Sequence, residues 1–341
     1  MLFYLLSLLT GVLECGWIAS GALQAMPLWQ ILCYPLAYHM GNLFPKPFSL
    51  SSKCLFLMTG LSFISGSLTF VKQLSENAVF VLTCLTLFLL SAVIQSVRSG
   101  LKSDGNRLCK RIFRVGGFAL APLAALIPSV ILLAASLTAF CSLKGYRGKT
   151  DCTRMMAQNG YSAVMVFHQL HYFFYAHITL AAVSMLFSRT CGIAGVWGSA
   201  ALFCGTWITY MSVEPLLSKR TNKIIPVFFS GHLGISLLLF CMHFVTEMHL
   251  FVLLWLFTGF GGGAVYTIAA KAKAAGSYDK NAMTVSENTG HTLGLLTAAV
   301  IAAAAGETSP GIMLLFGSAS ALFAAVTMAF VLRKEKSHEN H

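Results

Sequence analysis

Residues 115–143 read VGGFALAPLAALIPSVILLAASLTAFCSL, and no side chain in this stretch is charged. A membrane-spanning helix needs about 20 predominantly apolar residues, so the stretch is long for one crossing. It contains Pro122 and Pro128, and proline breaks or kinks a helix because it lacks a backbone N–H donor. We therefore predict two short helices that turn near Ile127 and Pro128. The alternative is a single long span.

The whole chain shares this apolar character. Hydrophobic residues make up 57% of the sequence and charged residues 10%, and the mean hydropathy is +0.75. A soluble globular protein carries about 25% charged residues, so this chain has too little polar surface to remain in water. The composition excludes a soluble globular protein, a disordered chain and a nucleic-acid-binding domain, and it predicts an all-α integral membrane protein.

Apolar segments of helical length recur from the first residues to the last. They are too long and continuous for a β-barrel, whose strands alternate in pieces of about 10 residues. A plain count gives eleven segments, and counting residues 115–143 as two helices gives about twelve spans. The segments are 2–24, 27–44, 54–71, 77–97, 115–143, 161–187, 192–210, 224–245, 248–270, 288–306 and 311–332.

The basic residues predict the orientation of these spans. All of the 23 Lys and Arg residues except Lys72 and Arg189 fall in six clusters at or between the ends of apolar segments. Cytoplasmic loops of membrane proteins carry an excess of Lys and Arg. Every second loop is basic if residues 115–143 cross twice and both termini are cytoplasmic. The net charge of +12 then reflects orientation in a cell (inner) membrane, and no nucleic-acid partner is needed.

The longest connection between apolar segments divides the chain into halves of six spans each. We predict an N-terminal six-helix bundle over residues 1–143, a central cytoplasmic loop over 144–160 and a C-terminal six-helix bundle over 161–341. Two bundles of this kind are common in transporters. We expect the protein to be a monomer in the lipid bilayer.

The cysteines do not indicate a disulfide framework or a metal site. There are ten of them, no two form a C-x-x-C pair, and most lie inside apolar segments. Cysteine in such positions acts as a small buried hydrophobic residue. We expect no cofactor, no catalytic residue and no bound metal.

Glu14 is the only carboxylate well inside an apolar segment. An ionised side chain at the bilayer centre costs at least about 2.5–3.5 kcal/mol, and removal from water favours the protonated carboxyl. Thr10, Gly11 and Trp17 share its helix face, which could line a cavity. We predict that Glu14 binds and releases protons. The alternative is a protonated Glu14 that only hydrogen-bonds a neighbouring helix.

The stretch VMVFHQLHYFFYAH, residues 164–177, carries the second group of candidates. His168, His171, Tyr172 and Tyr175 are three, four or seven residues apart and therefore share one helix face. Such a face could contact a solute or relay protons. The alternatives are aromatic packing between helices and metal or haem ligation, which two histidines alone indicate only weakly.

Five further polar or aromatic residues within spans are candidate solute contacts. Lone histidines in membrane helices more often satisfy helix contacts, and tryptophans also serve as interface anchors. The candidates are Trp17, His39, Gln95, His232 and His291.

Three stretches resemble motifs of the major facilitator superfamily of transporters. RIFRVGGFALAPLAAL, from Arg111 to Leu126, resembles the helix-5 antiporter motif. LFTGFGGGAVYTIAA, from Leu256 to Ala270, resembles the glycine-rich tenth helix, and residues 41–46 lie at the position of the family's loop between helices 2 and 3. The resemblance implies two six-helix bundles with alternating access. It also supports Glu14 as a proton site, since proton-linked drug exporters of the family often carry an acidic residue in helix 1.

The sequence therefore predicts a secondary transporter, not an enzyme, that moves a small organic solute by alternating access in exchange for protons. Export of an amphipathic or chelating molecule, in the manner of drug or metallophore exporters, is an analogy with the family. A second hypothesis is a polytopic membrane protein or enzyme that binds haem or metal through its histidines. A third is a membrane scaffold, which would not require Glu14.

Overall fold

The computed structural model describes residues 2–23, 26–45, 50–100, 107–143, 160–218, 224–274 and 280–338. Within these ranges the backbone is almost entirely α-helical, with short turns, one 3₁₀-helix and no strand. The prediction of an all-α membrane protein is confirmed. The α-helices are α1 (Leu2–Leu23), α2 (Leu28–Leu43), α3 (Ser52–Leu68), α4 (Glu76–Gly100), α5 (Arg107–Leu126), α6 (Pro128–Leu143), α7 (Gly160–Ser218), α8 (Ile224–Phe244), α9 (Met248–Ala274), α10 (Lys280–Ala305) and α11 (Ser309–His338).

The helices form two compact units. Unit 1 comprises Met1–Thr153 and Ser184–Ala201, and unit 2 comprises Arg154–Val183 and Leu202–His341. Among the described residues, four stretches are long and apolar enough to cross a membrane by length and composition. They are Glu76–Arg98, Pro226–Phe244, Met248–Thr267 and Ala282–Thr327.

The break predicted near Ile127 and Pro128 is present. Helix α5 ends at Leu126, Ile127 is not helical, and α6 begins at Pro128. Proline is favoured at the first position of a helix, where its missing N–H would have no partner in any case. Pro122 lies inside α5 without ending it. The two short helices predicted within residues 115–143 are therefore separate elements.

Helix α7 differs from the prediction. Two apolar segments, 161–187 and 192–210, were expected to be separate helices, but the backbone is helical throughout Gly160–Ser218. At 1.5 Å per residue a straight helix of this length would be roughly three times the thickness of the hydrocarbon core. Pro215, close to its end, is the one proline in the helix, so no residue forces a stop between the two segments.

Unit 1 contains an unusually close approach between α1 and α5, which pack more extensively than any other pair of helices in the described part of the chain. A Cβ atom added at Gly117 would lie 2.9 Å from Cα of Gly11 and would overlap the carbonyl oxygen of Leu8. A Cβ atom at Gly11 would overlap the carbonyl oxygen of Arg114. Small residues allow membrane helices to approach this closely, and here they bring the backbones of α1 and α5 together.

Hydroxyl groups connect the remaining helices of unit 1. Ser65 Oγ and Thr86 Oγ1 lie 2.7 Å apart between α3 and α4. Ser62 donates to Ser136, at 3.3 Å, between α3 and α6. Each of these side chains is buried, and their hydrogen bonds offset the cost of placing polar groups in an apolar interior.

Unit 2 is organised around α8, which packs on α9 and on α11. Ser236 on α8 and Ser318 on α11 exchange hydrogen bonds, each donating its hydroxyl to the other's carbonyl oxygen at 2.9 Å. Gly231 and Gly261 bring α8 and α9 together, since a Cβ atom at Gly261 would lie 2.8 Å from the carbonyl oxygen of Gly231. These contacts fix the position of α8, which carries His232.

Candidate functional site

Glu14 forms a buried ion pair with Arg114. Nη2 of Arg114 donates to Oε2 of Glu14 at 2.5 Å, and the two side chains are 27% and 9% exposed. Glu14 lies on α1 and Arg114 on α5, at the place where Gly11 and Gly117 bring the helices together. The close helix packing therefore places the two charges in contact.

The sequence does not indicate this pair. The clusters of Lys and Arg lie at or between the ends of apolar segments, which places Arg114 at the end of one. Helix α5 instead begins at Arg107, which puts Arg114 two turns inside the helix. An arginine that has a carboxylate partner is tolerated at this depth, because the pair cancels most of its charge.

Further polar groups surround the pair. Nη1 of Arg98, on α4, donates to Oγ1 of Thr10 at 3.2 Å, and Thr10 donates to the carbonyl oxygen of Leu6 at 2.7 Å. Tyr38, on α2, is buried and hydrogen-bonds the side chain of Thr10. Its hydroxyl also interacts electrostatically with Glu14, Arg98 and Arg114. Four helices of unit 1 thus contribute to one polar cluster.

The charge of Arg114 is balanced by Glu14. Arginine stays charged in proteins, and an ionised carboxylate is the partner that pairs with it. Protonation of Glu14 would leave Arg114 without its counter-charge, so proton uptake must be linked to a change at Arg114. An anionic solute or a movement of α5 relative to α1 would each supply such a change.

The second group of candidates forms a connected network in unit 2. Nε2 of His168, on α7, lies 2.7 Å from Nε2 of His232, on α8. Nδ1 of His232 lies 2.8 Å from the hydroxyl of Tyr175. All three residues are at most 1% exposed. The structure therefore joins a residue predicted as a lone histidine, His232, to the predicted face of α7.

The predicted face of α7 divides between two neighbours. His168 and Tyr175 contact α8, whereas Nε2 of His171 donates to the carbonyl oxygen of Ser320 on α11, at 3.0 Å. Tyr172 stacks against His168, with ring centroids 6.4 Å apart. Residues on one face of α7 therefore contact two different helices, because α8 and α11 both pack along that face.

His291 also has a histidine partner. Its Nδ1 lies 2.8 Å from a ring nitrogen of His177, and its Nε2 lies 3.7 Å from Oε1 of Glu287, one turn earlier on α10. Both histidines are buried. His177 lies in the quoted histidine-rich stretch but was not among the chosen site residues.

The remaining candidates are less informative. His39 is buried on α2, with its ring 5.4 Å from that of Tyr38. Gln95 is partly buried on α4. The side chain of Trp17 lies outside the described residues. None of these is tested as a solute contact.

Arg114 and Tyr38 were missed as site residues, and one signal could have revealed Arg114. The basic residues Arg107, Lys110, Arg111 and Arg114 are spaced by three, four and seven, which is a helical period and not a loop pattern. That spacing would have placed Arg114 on α5, one turn beyond Arg111 toward the membrane interior.

Comparison with known proteins gives a likeness of fold alone. No protein-family model matches the sequence, and no curated protein matches it. The structure is similar to the partially occluded, inward-open xylose transporter XylE from E. coli, with a TM-score of 0.64 and 9% identity over 96% of this chain and 98% of that one. It is also similar to the human organic anion transporter MFSD10 (TETRAN), with a TM-score of 0.54 and 11% identity over 91% of this chain and 82% of that one.

These likenesses show that the chain shares the fold of these two transporters. The similarity extends over nearly the full length of both XylE and this chain. The fold expectation drawn from the sequence motifs is therefore confirmed. At such low identity, a shared fold transfers neither substrate nor coupling ion.

Proposed function

We propose that the protein is a secondary transporter that moves a small organic solute across the membrane by alternating access, coupled to protons at Glu14. The observation that carries the proposal is the buried Glu14–Arg114 pair, set between two helices of a transporter fold. Both termini are cytoplasmic in this proposal, the working unit is a monomer, and the direction is export.

The pair supports coupling of proton exchange to solute movement, because each of its charges is stabilised by the other. A buried ion pair repays its desolvation cost only while both partners are charged and in contact. A state of the cycle that separates α1 from α5, or that offers Arg114 an anionic group, makes protonation of Glu14 favourable. Solute movement and proton exchange would then be linked at one place.

The composition of the site supports an organic solute with polar groups. Arg98, Arg114 and Tyr38 offer hydrogen-bond donors in unit 1, and one neighbour in fold, MFSD10 (TETRAN), is described as an organic anion transporter. We extend this to a solute that carries a negative or chelating group. Other proposed solute contacts are Trp17, His39, Gln95, His168, His171, Tyr172, Tyr175, His232 and His291.

The test uses purified protein in proteoliposomes with pyranine inside to report internal pH. A panel of organic anions and amphipathic cations is added outside, and the first solute that moves protons through the wild type is used. Glu14→Gln mimics the protonated form, so we expect proton movement to be lost while solute binding is kept. Glu14→Asp should retain part of the activity at a shifted pH optimum.

Glu76→Gln is the matched control, because it removes an exposed carboxylate at the start of α4. It should transport as the wild type does. Proton movement at the wild-type rate in Glu14→Gln would contradict the coupling role. Glu14 would then be structural.

A further inference from the structure

Two buried histidines, His168 and His232, face each other in unit 2. At 2.7 Å, Nε2 of His168 and Nε2 of His232 can form a hydrogen bond only if one carries a proton and the other does not. Each neutral imidazole has one N–H and one bare nitrogen. Which histidine donates in this central Nε2–Nε2 hydrogen bond therefore determines whether Nδ1 of each ring carries a proton.

The network has two neutral arrangements. In the first, the hydroxyl of Tyr175 donates to Nδ1 of His232, Nε2 of His232 donates to His168, and His168 carries its own proton on Nδ1. In the second, Nε2 of His168 donates to His232, and Nδ1 of His232 donates to the oxygen of Tyr175. Nδ1 of His168 is then a bare acceptor.

The hydrogen-bonded network ends at Nδ1 of His168. Nδ1 of His168 is buried and has no hydrogen-bond partner among the described residues. In the first arrangement this atom is a buried donor without an acceptor, which costs about 1–3 kcal/mol. The oxygen of a water molecule or an acceptor group of a solute would satisfy it. In the second arrangement the same atom is bare and can take up an arriving proton.

We propose that Tyr175, His232 and His168 form a proton relay in unit 2 that holds one shared proton and is separate from Glu14. Conversion of the first arrangement to the second takes one proton in at the hydroxyl of Tyr175 and releases one from Nδ1 of His168. Two internal transfers accompany this uptake and release. The Tyr175 proton passes to Nδ1 of His232, and the proton on Nε2 of His232 passes to Nε2 of His168. Every atom is neutral again at the end.

The relay can also store a single extra proton. His168 protonated on both nitrogens still donates through Nε2 to a neutral His232, so the central hydrogen bond survives. A second extra proton would place two donors 2.7 Å apart and break the bond. The pair therefore titrates as one group that takes up one proton, not two.

Several titratable groups and one carboxylate lie around the relay. His171 and Tyr172 lie beside it on α7, and Tyr266 on α9 and Glu287 on α10 lie close to Tyr172. Glu287 is the carboxylate in this set, and it lies close to Tyr172. Helix α11 has no charged residue over Ser309–Thr327. A second positive charge would have no further carboxylate in this set to balance it.

The relay is tested on the full chain, with ¹⁵N-labelled histidine, in lipid bilayers by solid-state NMR. We expect one N–H···N correlation between two imidazole rings, lost in His168→Gln and in His232→Gln. His249→Gln is the control, since His249 is 86% exposed and lies outside the network. Acidification should convert the pair to one shared imidazolium. Tyr175→Phe should keep the correlation but remove the hydrogen bond at Nδ1 of His232.

The wild-type spectrum alone is decisive if a glutamine variant fails to fold. Absence of the ring-to-ring correlation would overturn the proposal, as would two imidazolium rings that appear together at one pH. The NMR experiment does not depend on Glu14 or on a solute. Its failure would therefore leave the proposed transport function standing, and failure of Glu14→Gln to alter transport would leave the relay standing.

Discussion

Gly117→Ala is expected to lower the melting temperature of the protein by about 2–4 °C, whereas Gly116→Ala should leave it unchanged or raise it slightly. A Cβ atom at Gly117 would overlap the backbone of α1 at Leu8, and backbone cannot move aside as a flexible side chain can. The helices must separate, and overpacking of this kind costs about 1–3 kcal/mol or more.

Gly116 is a matched control on the same helix. No atom lies within 4 Å of a Cβ atom added there. Alanine favours a helix over glycine by about 1 kcal/mol, so the change should be neutral or stabilising. The measurement is thermal unfolding in detergent with a thiol-reactive dye, which reports the further exposure of the partly buried cysteines. Equal melting temperatures for the two variants would contradict the close packing of α1 on α5.

Arg114→Gln is expected to destabilise the protein by about 2–3 kcal/mol, since it leaves Glu14 as a buried charge without its partner. Removal of one partner from a fully buried pair costs about 3–5 kcal/mol, and the 27% exposure of Arg114 lowers that value. Adding Glu14→Gln should restore part of the loss, because the double variant buries no charge. Chemical unfolding of the two single variants and the double variant gives the coupling free energy.

Lys72→Gln is the control for loss of a positive charge, because Lys72 is exposed between α3 and α4. It should have little effect on stability. Additive losses in Arg114→Gln and Glu14→Gln would show that the two charges do not interact, contrary to the geometry.

The helical architecture could be predicted because the apolar segments and prolines are local signals. Pro128 marks the start of α6 in the sequence and in the structure. The continuity of α7 could not be predicted in this way. Hydropathy falls near Arg189, which suggested a loop, but helix formation depends on backbone conformation and packing that hydropathy does not report.

The candidate site was predicted in part. A carboxylate inside an apolar segment is costly enough to be noticed, and Glu14 was found for that reason. Its partner was missed because a charge at a helix end is ordinarily read as an anchor at the membrane surface. The link from His168 to His232 joins residues 64 positions apart. Spacing within one helix carries no information on such a contact.

Proton coupling at Glu14 is tested most directly by measuring the protonation of Glu14 itself. Infrared difference spectra of the reconstituted protein are recorded as the pH is lowered, in the wild type, in Glu14→Gln and in Glu76→Gln. We predict a C=O band of a protonated carboxyl that is present in the wild type and in Glu76→Gln and absent in Glu14→Gln. A Glu14 that stays ionised at every pH at which the protein is folded would contradict proton coupling at the Glu14–Arg114 pair.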